Sequence, residues 1–84
     1  MKKYKVIDCF CGAGGLSLGF ENRGFEVEYA FDIDQAAINT YKNNPSYHHG
    51  AAFVRDIYKV NKETIESDLG HELGTIDVVI GGPP

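Results

Sequence analysis

Three carboxylates and one glycine-rich turn carry the chemical interest of this sequence. The turn is Asp8-Cys9-Phe10-Cys11-Gly12-Ala13-Gly14-Gly15. Glycines between a first strand and a first helix let the backbone approach a ligand closely. The dinucleotide fingerprint G-x-G-x-x-G is not met, because Ser17 stands at its third glycine position and further glycines fall at Gly15 and Gly19. Asp32 follows Gly12 by twenty residues, at the end of an expected second strand. A carboxylate at that distance can accept hydrogen bonds from both hydroxyls of a ribose. Asp34, two residues on, reads instead as a helix cap. Asp56-Ile57 follows the expected third strand: its carboxylate can accept from the exocyclic amino group of adenine, and its branched side chain can cover a ring face. By itself a loop Asp reads as a turn residue. Ile80-Gly81-Gly82-Pro83-Pro84 is a rigid exit from a buried strand, which by itself reads as strand termination.

The elements that must position these groups alternate between strand and helix. Tyr4 to Phe10 is apolar enough for a buried strand. Leu16 and Phe20 share a helical face, and Arg23-Gly24 reads as that helix's C-terminus. Val27, Tyr29 and Phe31 have strand periodicity. Asp34 caps a helix carrying Ala37, Ile38 and Tyr41, which Pro45 stops. A short strand spans Ala51 to Val54, and Asn61 caps a helix with Ile65 and Leu69 on one face and Gly70 after it. Ile76 to Ile80 is a fourth strand. The order βαβαβαβ implies a parallel sheet with helical crossovers. Such sheets are normally buried on both faces, so a strongly apolar last strand left as an edge points to the first part of a larger α/β domain.

Composition narrows the classes. The chain has 84 residues, 43% apolar and 24% charged, which is an ordinary globular make-up. No apolar run is long enough for a transmembrane span or the core of an export signal. Cys9 and Cys11 lie too close together to staple distant segments, so a reducing compartment is expected. They also lack partners for a metal site: His48, His49 and His71 read as solvated or structural. Net charge is −4 with no basic stripe, so these residues are not the part of a DNA-acting protein that grips phosphates. An acidic chain suits a ligand of net positive charge better than a pyrophosphate.

Taken together the four constellations resemble the DNA (cytosine-5) methyltransferase family. The glycine turn is similar to its first motif, and Ala30-Phe31-Asp32-Ile33-Asp34 with Tyr41 and Asn44 to its second. Arg55-Asp56-Ile57 is similar to its third, and Asp77 to Pro84 to the opening of its fourth. The resemblance implies the first half (βαβαβαβ) of a Rossmann-like methyltransferase domain that binds S-adenosylmethionine, with residues 1–84 forming the N-terminal part of the catalytic domain. It implies cofactor contacts at Asp8, Phe10, Gly12, Ala13, Gly14, Gly15, Asp32, Ile33, Asp56, Ile57 and Pro84. Phe10 lies near the adenosine, the glycines near the methionine portion and Asp32 at the ribose. Ile33 packs on adenine, Asp56 and Ile57 read its edge, and Pro84 borders the transfer site. The family's cysteine nucleophile follows the proline pair and is not among these residues. The chain alone is therefore expected to transfer no methyl group, and no catalytic residue is assigned in it.

Double-stranded DNA is the expected partner, through regions outside these residues, with a second polypeptide completing the domain as one arrangement. Membrane and metal partners are not expected. The short lead before Asp8 is similar to compact bacterial members, which implies a cytoplasmic enzyme, including the restriction-modification type. The alternatives are a non-catalytic S-adenosylmethionine-binding or sheet-edge module acting through Ile76 to Ile80, a subunit of a split methyltransferase, and half of a nucleotide-type oxidoreductase.

Overall fold

A computed structural model describes residues 3–12, 14–43 and 52–81. The expected alternation is present. Strand β1 (Lys5–Cys9) leads through helix α1 (Gly15–Asn22) to β2 (Glu26–Asp32). Helix α2 (Gln35–Asn43) leads to β3 (Ala52–Val54), and helix α3 (Lys62–Leu69) to β4 (Val78–Gly81). A short 3-10 helix over Ile57–Lys59, which hydrophobic periodicity is too coarse to register, lies between β3 and α3. All strand pairs are parallel and their order is β3-β2-β1-β4. The chain therefore steps outward from β1 through β2 to β3, then crosses back to the other side of β1. That reversal puts helices on opposite faces and opens a crevice at the carboxyl ends of β1 and β4.

Two apolar clusters hold the layers together. On one face Val6, Val27, Ala30 and Ala52 pack with Cys11 and with Ile38 and Tyr41 of α2, and Phe20 of α1 joins them. On the other, Ile7, Tyr29 and Phe31 pack with Ile65 of α3, joined by Leu69, Leu73 and Ile76. Tyr29 stacks on Phe53 at 5.3 Å between ring centroids. Strand β2 departs from plain alternation. Val6 pairs with Val27 but Ile7 with Tyr29, so Glu28 is an extra residue in the ladder. This bulge switches faces: Val27 packs under α1 and α2, whereas Tyr29 and Phe31 pack under α3.

The helix ends follow local chemistry. The Asp34 carboxylate accepts from the Ala36 N–H at 2.9 Å, and Asn61 Oδ1 accepts from the Thr64 N–H at 2.9 Å. Gly24 and Gly70, at φ 87° and 77°, close α1 and α3 in the left-handed region. The fully buried residue of α1 is Ser17. Leu16 is half exposed and, with Gly15, Gly19, Phe20, Arg23 and Phe25, lines a shallow apolar depression on that helix. The expected fourth strand begins later than Ile76, because the Asp77 side chain takes the Lys5 N–H at 2.8 Å before the ladder starts.

β4 lies tight against β1. A Cβ on Gly81 would meet the Cys9 carbonyl oxygen at 2.7 Å and the Cys9 Cβ at 3.1 Å. The first of these is backbone and cannot rotate away. Gly81→Ala is expected to destabilise the chain by about 1–3 kcal/mol, the usual cost of overpacking. Thermal unfolding checks this, and an unchanged midpoint would contradict the tight pairing.

Candidate cofactor site

Because the four strands run parallel, their carboxyl ends share one rim. In register, Cys9 lies beside Phe31 and Gly81, and Phe31 beside Phe53. The loops leaving β1, β2 and β3 then meet through backbone groups. The Cys11 N–H donates to the Phe31 carbonyl at 2.9 Å. The Gly12 N–H donates to Asp32 Oδ2 at 2.9 Å, and the Asp34 N–H to Asp32 Oδ1 at 2.9 Å. The Arg55 N–H donates to the Asp32 carbonyl at 3.0 Å. One residue at the end of β2 thus ties three loops.

The first loop is shaped by left-handed backbone. Gly12 sits at φ 54° and Gly14 at φ 97°, and Gly14 caps α1. Phe10 sits at φ 57°, which is rare for a bulky residue and concentrates at functional sites. Its half-buried ring rests against Phe31 at 6.2 Å. The residues that follow β2 and β3 expose apolar side chains, with Ile33 68% and Ile57 39% accessible.

Asp8 does not face this rim. It is fully buried under α1, its Oδ2 accepts from the Ser17 hydroxyl, and Oδ1 meets no donor among the described residues. Burial pushes its carboxyl above the usual range and the nearby Asp32 charge adds to this, while the Ser17 bond opposes them. Ser17 explains how the helix tolerates losing the third glycine of the dinucleotide pattern. A small hydroxyl still lets helix and strand pack closely, and it bonds the buried acid. The sequence signal was that departure from the fingerprint, but its partner was not legible.

Asp56 begins the 3-10 helix, with Oδ1 accepting from the Tyr58 N–H at 3.0 Å. It is therefore a turn residue and a rim residue at once. Ala13 and Pro84 lie outside the described residues, as do Asn44, Pro45, His48 and His49. The thiols are poor nucleophiles. Burial pushes Cys11 up to about 12, and burial with the Asp8 charge raises Cys9. His71 is exposed, and no cluster of metal-binding side chains occurs among the described residues. Among them, too, no helix is long and apolar enough to cross a membrane.

A second group, not read from the sequence, lies behind the rim. Asp68 of α3 accepts from Arg55 Nε at 3.0 Å, from Arg55 Nη2 at 2.5 Å and from the Tyr29 hydroxyl at 2.6 Å. Burial alone would raise the Asp68 carboxyl, but these bonds and the Arg55 charge hold it below the usual range. Spacing could not reveal it, because the three residues come from separate elements.

A parallel sheet with helices on both faces, whose glycine turn after β1 meets an acid at the end of β2, defines the Rossmann-like class of α/β domains. The family described as C-5 cytosine-specific DNA methylase matches residues 4–84. The type II methyltransferase M.AgeI of Thalassovita gelatinovora is 48% identical over 81 residues, covering 95% of this chain and 18% of that protein. M.HindV of Haemophilus influenzae is 40% identical over 84 residues, covering 95% and 24%. A crystal structure of a protein encoded within an E. coli prophage superposes with a TM-score of 0.80 at 42% identity, over 98% of this chain and 23% of that one. The chain belongs to the C-5 cytosine-specific DNA methylase family. It spans roughly a fifth of the length of these relatives.

The burial of Asp8 has a consequence for pH. A carboxyl whose folded pKa lies above its unfolded value of 3.8 favours folding most below that value, and this contribution is lost as pH rises through the folded value. Asp8→Asn retains an acceptor for Ser17 but cannot ionise. The stability of Asp8→Asn relative to the parent chain should therefore rise with pH across that window. Denaturant unfolding at several pH values checks this, and a constant difference would contradict it.

Proposed function

We propose that this chain is the S-adenosylmethionine-binding part of an enzyme that methylates cytosine at C5 in DNA. The observation that carries the reading is the unused capacity of Asp32. An ionised carboxylate offers roughly four lone-pair sites. The Gly12 and Asp34 N–H groups are its donors among the described residues, one on each oxygen. Each oxygen therefore keeps room for one more donor, which is what the two hydroxyls of a ribose require. The carboxylate is held from two sides before any ligand arrives.

The rest of the rim suits the remainder of the ligand. Ile33 and Ile57 are exposed apolar side chains that can cover an adenine ring. Asp56 has an oxygen, Oδ2, beyond the one that caps its turn, and it can accept from the exocyclic amino group. Gly12, Gly14 and Gly15 let backbone approach the methionine portion, and Phe10 borders the adenosine. When bound, the cofactor supplies an electrophilic methyl group on a positively charged sulfur. Asp8 acts from behind the loop, holding α1 through Ser17. The net charge of −4 is compatible with a cationic ligand.

Burial raises both the Cys9 and the Cys11 thiol, which makes either a poor choice of nucleophile. Methyl transfer, the DNA substrate and a role in restriction-modification are assigned to the whole protein on the names of its relatives. The 84 residues by themselves are expected to bind cofactor without methylating DNA.

Calorimetric titration tests the reading. The chain should bind S-adenosylmethionine in preference to NAD. Asp32→Ala should weaken that binding by about 1–3 kcal/mol, the scale for hydrogen bonds to a charged group. Equal affinity of the variant, or preference for NAD, would remove Asp32 and the adenosyl ligand from the account.

A further inference from the structure

β3 is the weakest support at the rim. It has three residues and β2 as its neighbour, yet it must deliver Asp56 and Ile57. What fixes its exit is Arg55. The Arg55 N–H donates to the Asp32 carbonyl at 3.0 Å, and Nη1 donates to the Val54 carbonyl at 2.9 Å. Nε and Nη2 grip the two oxygens of Asp68 at 3.0 and 2.5 Å. Asp68 is in turn held by the buried Tyr29 hydroxyl at 2.6 Å. Tyr29 belongs to β2, two residues before Phe31 and three before Asp32.

We propose that the Arg55–Asp68–Tyr29 clamp is a specificity-positioning device that sets Asp56 against the adenine edge, so that it governs discrimination between adenine and a base lacking the amino group. The inference rests on the adenosyl reading of the rim and names the part of the chain that makes it selective. The guanidinium reaches α3 and the β3 backbone together, and the next residue in the chain is Asp56. A planar fork with both ends occupied restricts rotation at Arg55, which a lysine point charge cannot do. The turn that starts at Asp56 is short: Tyr58 N–H to Oδ1 at 3.0 Å and Lys59 N–H to the Asp56 carbonyl at 2.8 Å. Its orientation is therefore inherited from the residue before it. None of the three clamp residues needs to touch the ligand.

The test compares S-adenosylhomocysteine with its inosyl counterpart, in which a carbonyl oxygen replaces the amino group. Titrations use the full chain, Arg55→Lys, Asp68→Asn and Asp56→Ala, with thermal unfolding of each alongside. The parent chain should prefer the adenosyl ligand by about tenfold or more, and Asp56→Ala should abolish the preference. Arg55→Lys and Asp68→Asn should lower it several-fold while the inosyl ligand binds about as before. Combining either with Asp56→Ala should cause no further loss. A purely structural clamp would lower the unfolding midpoint and both affinities in parallel, leaving the ratio intact, and that result would overturn the proposal. Absence of adenosyl binding by the parent chain would instead overturn the reading of the rim, and the clamp proposal with it. Tyr29→Phe guards against misfolding as an explanation, because it removes one hydroxyl and keeps the ring. It should reduce the preference less than Asp68→Asn does.

Discussion

Everything at the rim depends on Asp32. Its two carboxylate oxygens receive one N–H from the β1 loop and one from the start of α2, and its carbonyl receives one from the residue after β3. Three loops that are remote in sequence become one surface through this residue. Charge-assisted hydrogen bonds to backbone N–H groups are short and strong, and they cost no side-chain entropy on the donor side. A carboxylate in this position therefore preorganises the turns that surround it. The same atoms retain capacity for further donors, one on each oxygen.

The sheet makes this meeting possible. Parallel strands bring all their carboxyl ends to one side, and the crossing from β3 back to β4 reverses the strand order at β1. Clusters on both faces, centred on Val6 and Val27 and on Tyr29 and Phe31, hold β1 and β2 rigid. The buried Asp8–Ser17 contact and the Asp68 group stand behind the rim on opposite faces, one tied to α1 and the other to α3. Helix positions are thereby coupled to the loops that follow the strands. β4 is less enclosed: Val79 is 66% exposed on a strand whose other side has no partner among the described residues.

Much of this was legible in the sequence, for identifiable reasons. The caps at Asp34 and Asn61 and the stops at Gly24 and Gly70 are local, so residue type was enough to find them. The place of Asp32 at the end of β2 was legible because its distance from Gly12 is set by one helix and one strand. The bulge at Glu28 was not, since one extra residue leaves a run of apolar and acidic residues looking like plain alternation. The burial of Asp8 was not legible either. Its position at the end of β1 suggested the rim, but the pleat turns its side chain under α1. Arg55, Asp68 and Tyr29 meet only after the chain has folded, and no spacing rule joins them.

The central claim is that a ligand sits where Gly12, Asp34 and Arg55 converge on Asp32. Backbone amide spectra recorded during titration with S-adenosylhomocysteine test it most directly. The account predicts that the amides of Gly12, Ile33, Asp34 and Ile57 shift together with a common dissociation constant, while those lining the apolar depression on α1 beyond Leu16 stay still. Shifts confined to that depression, with a silent rim, would contradict it.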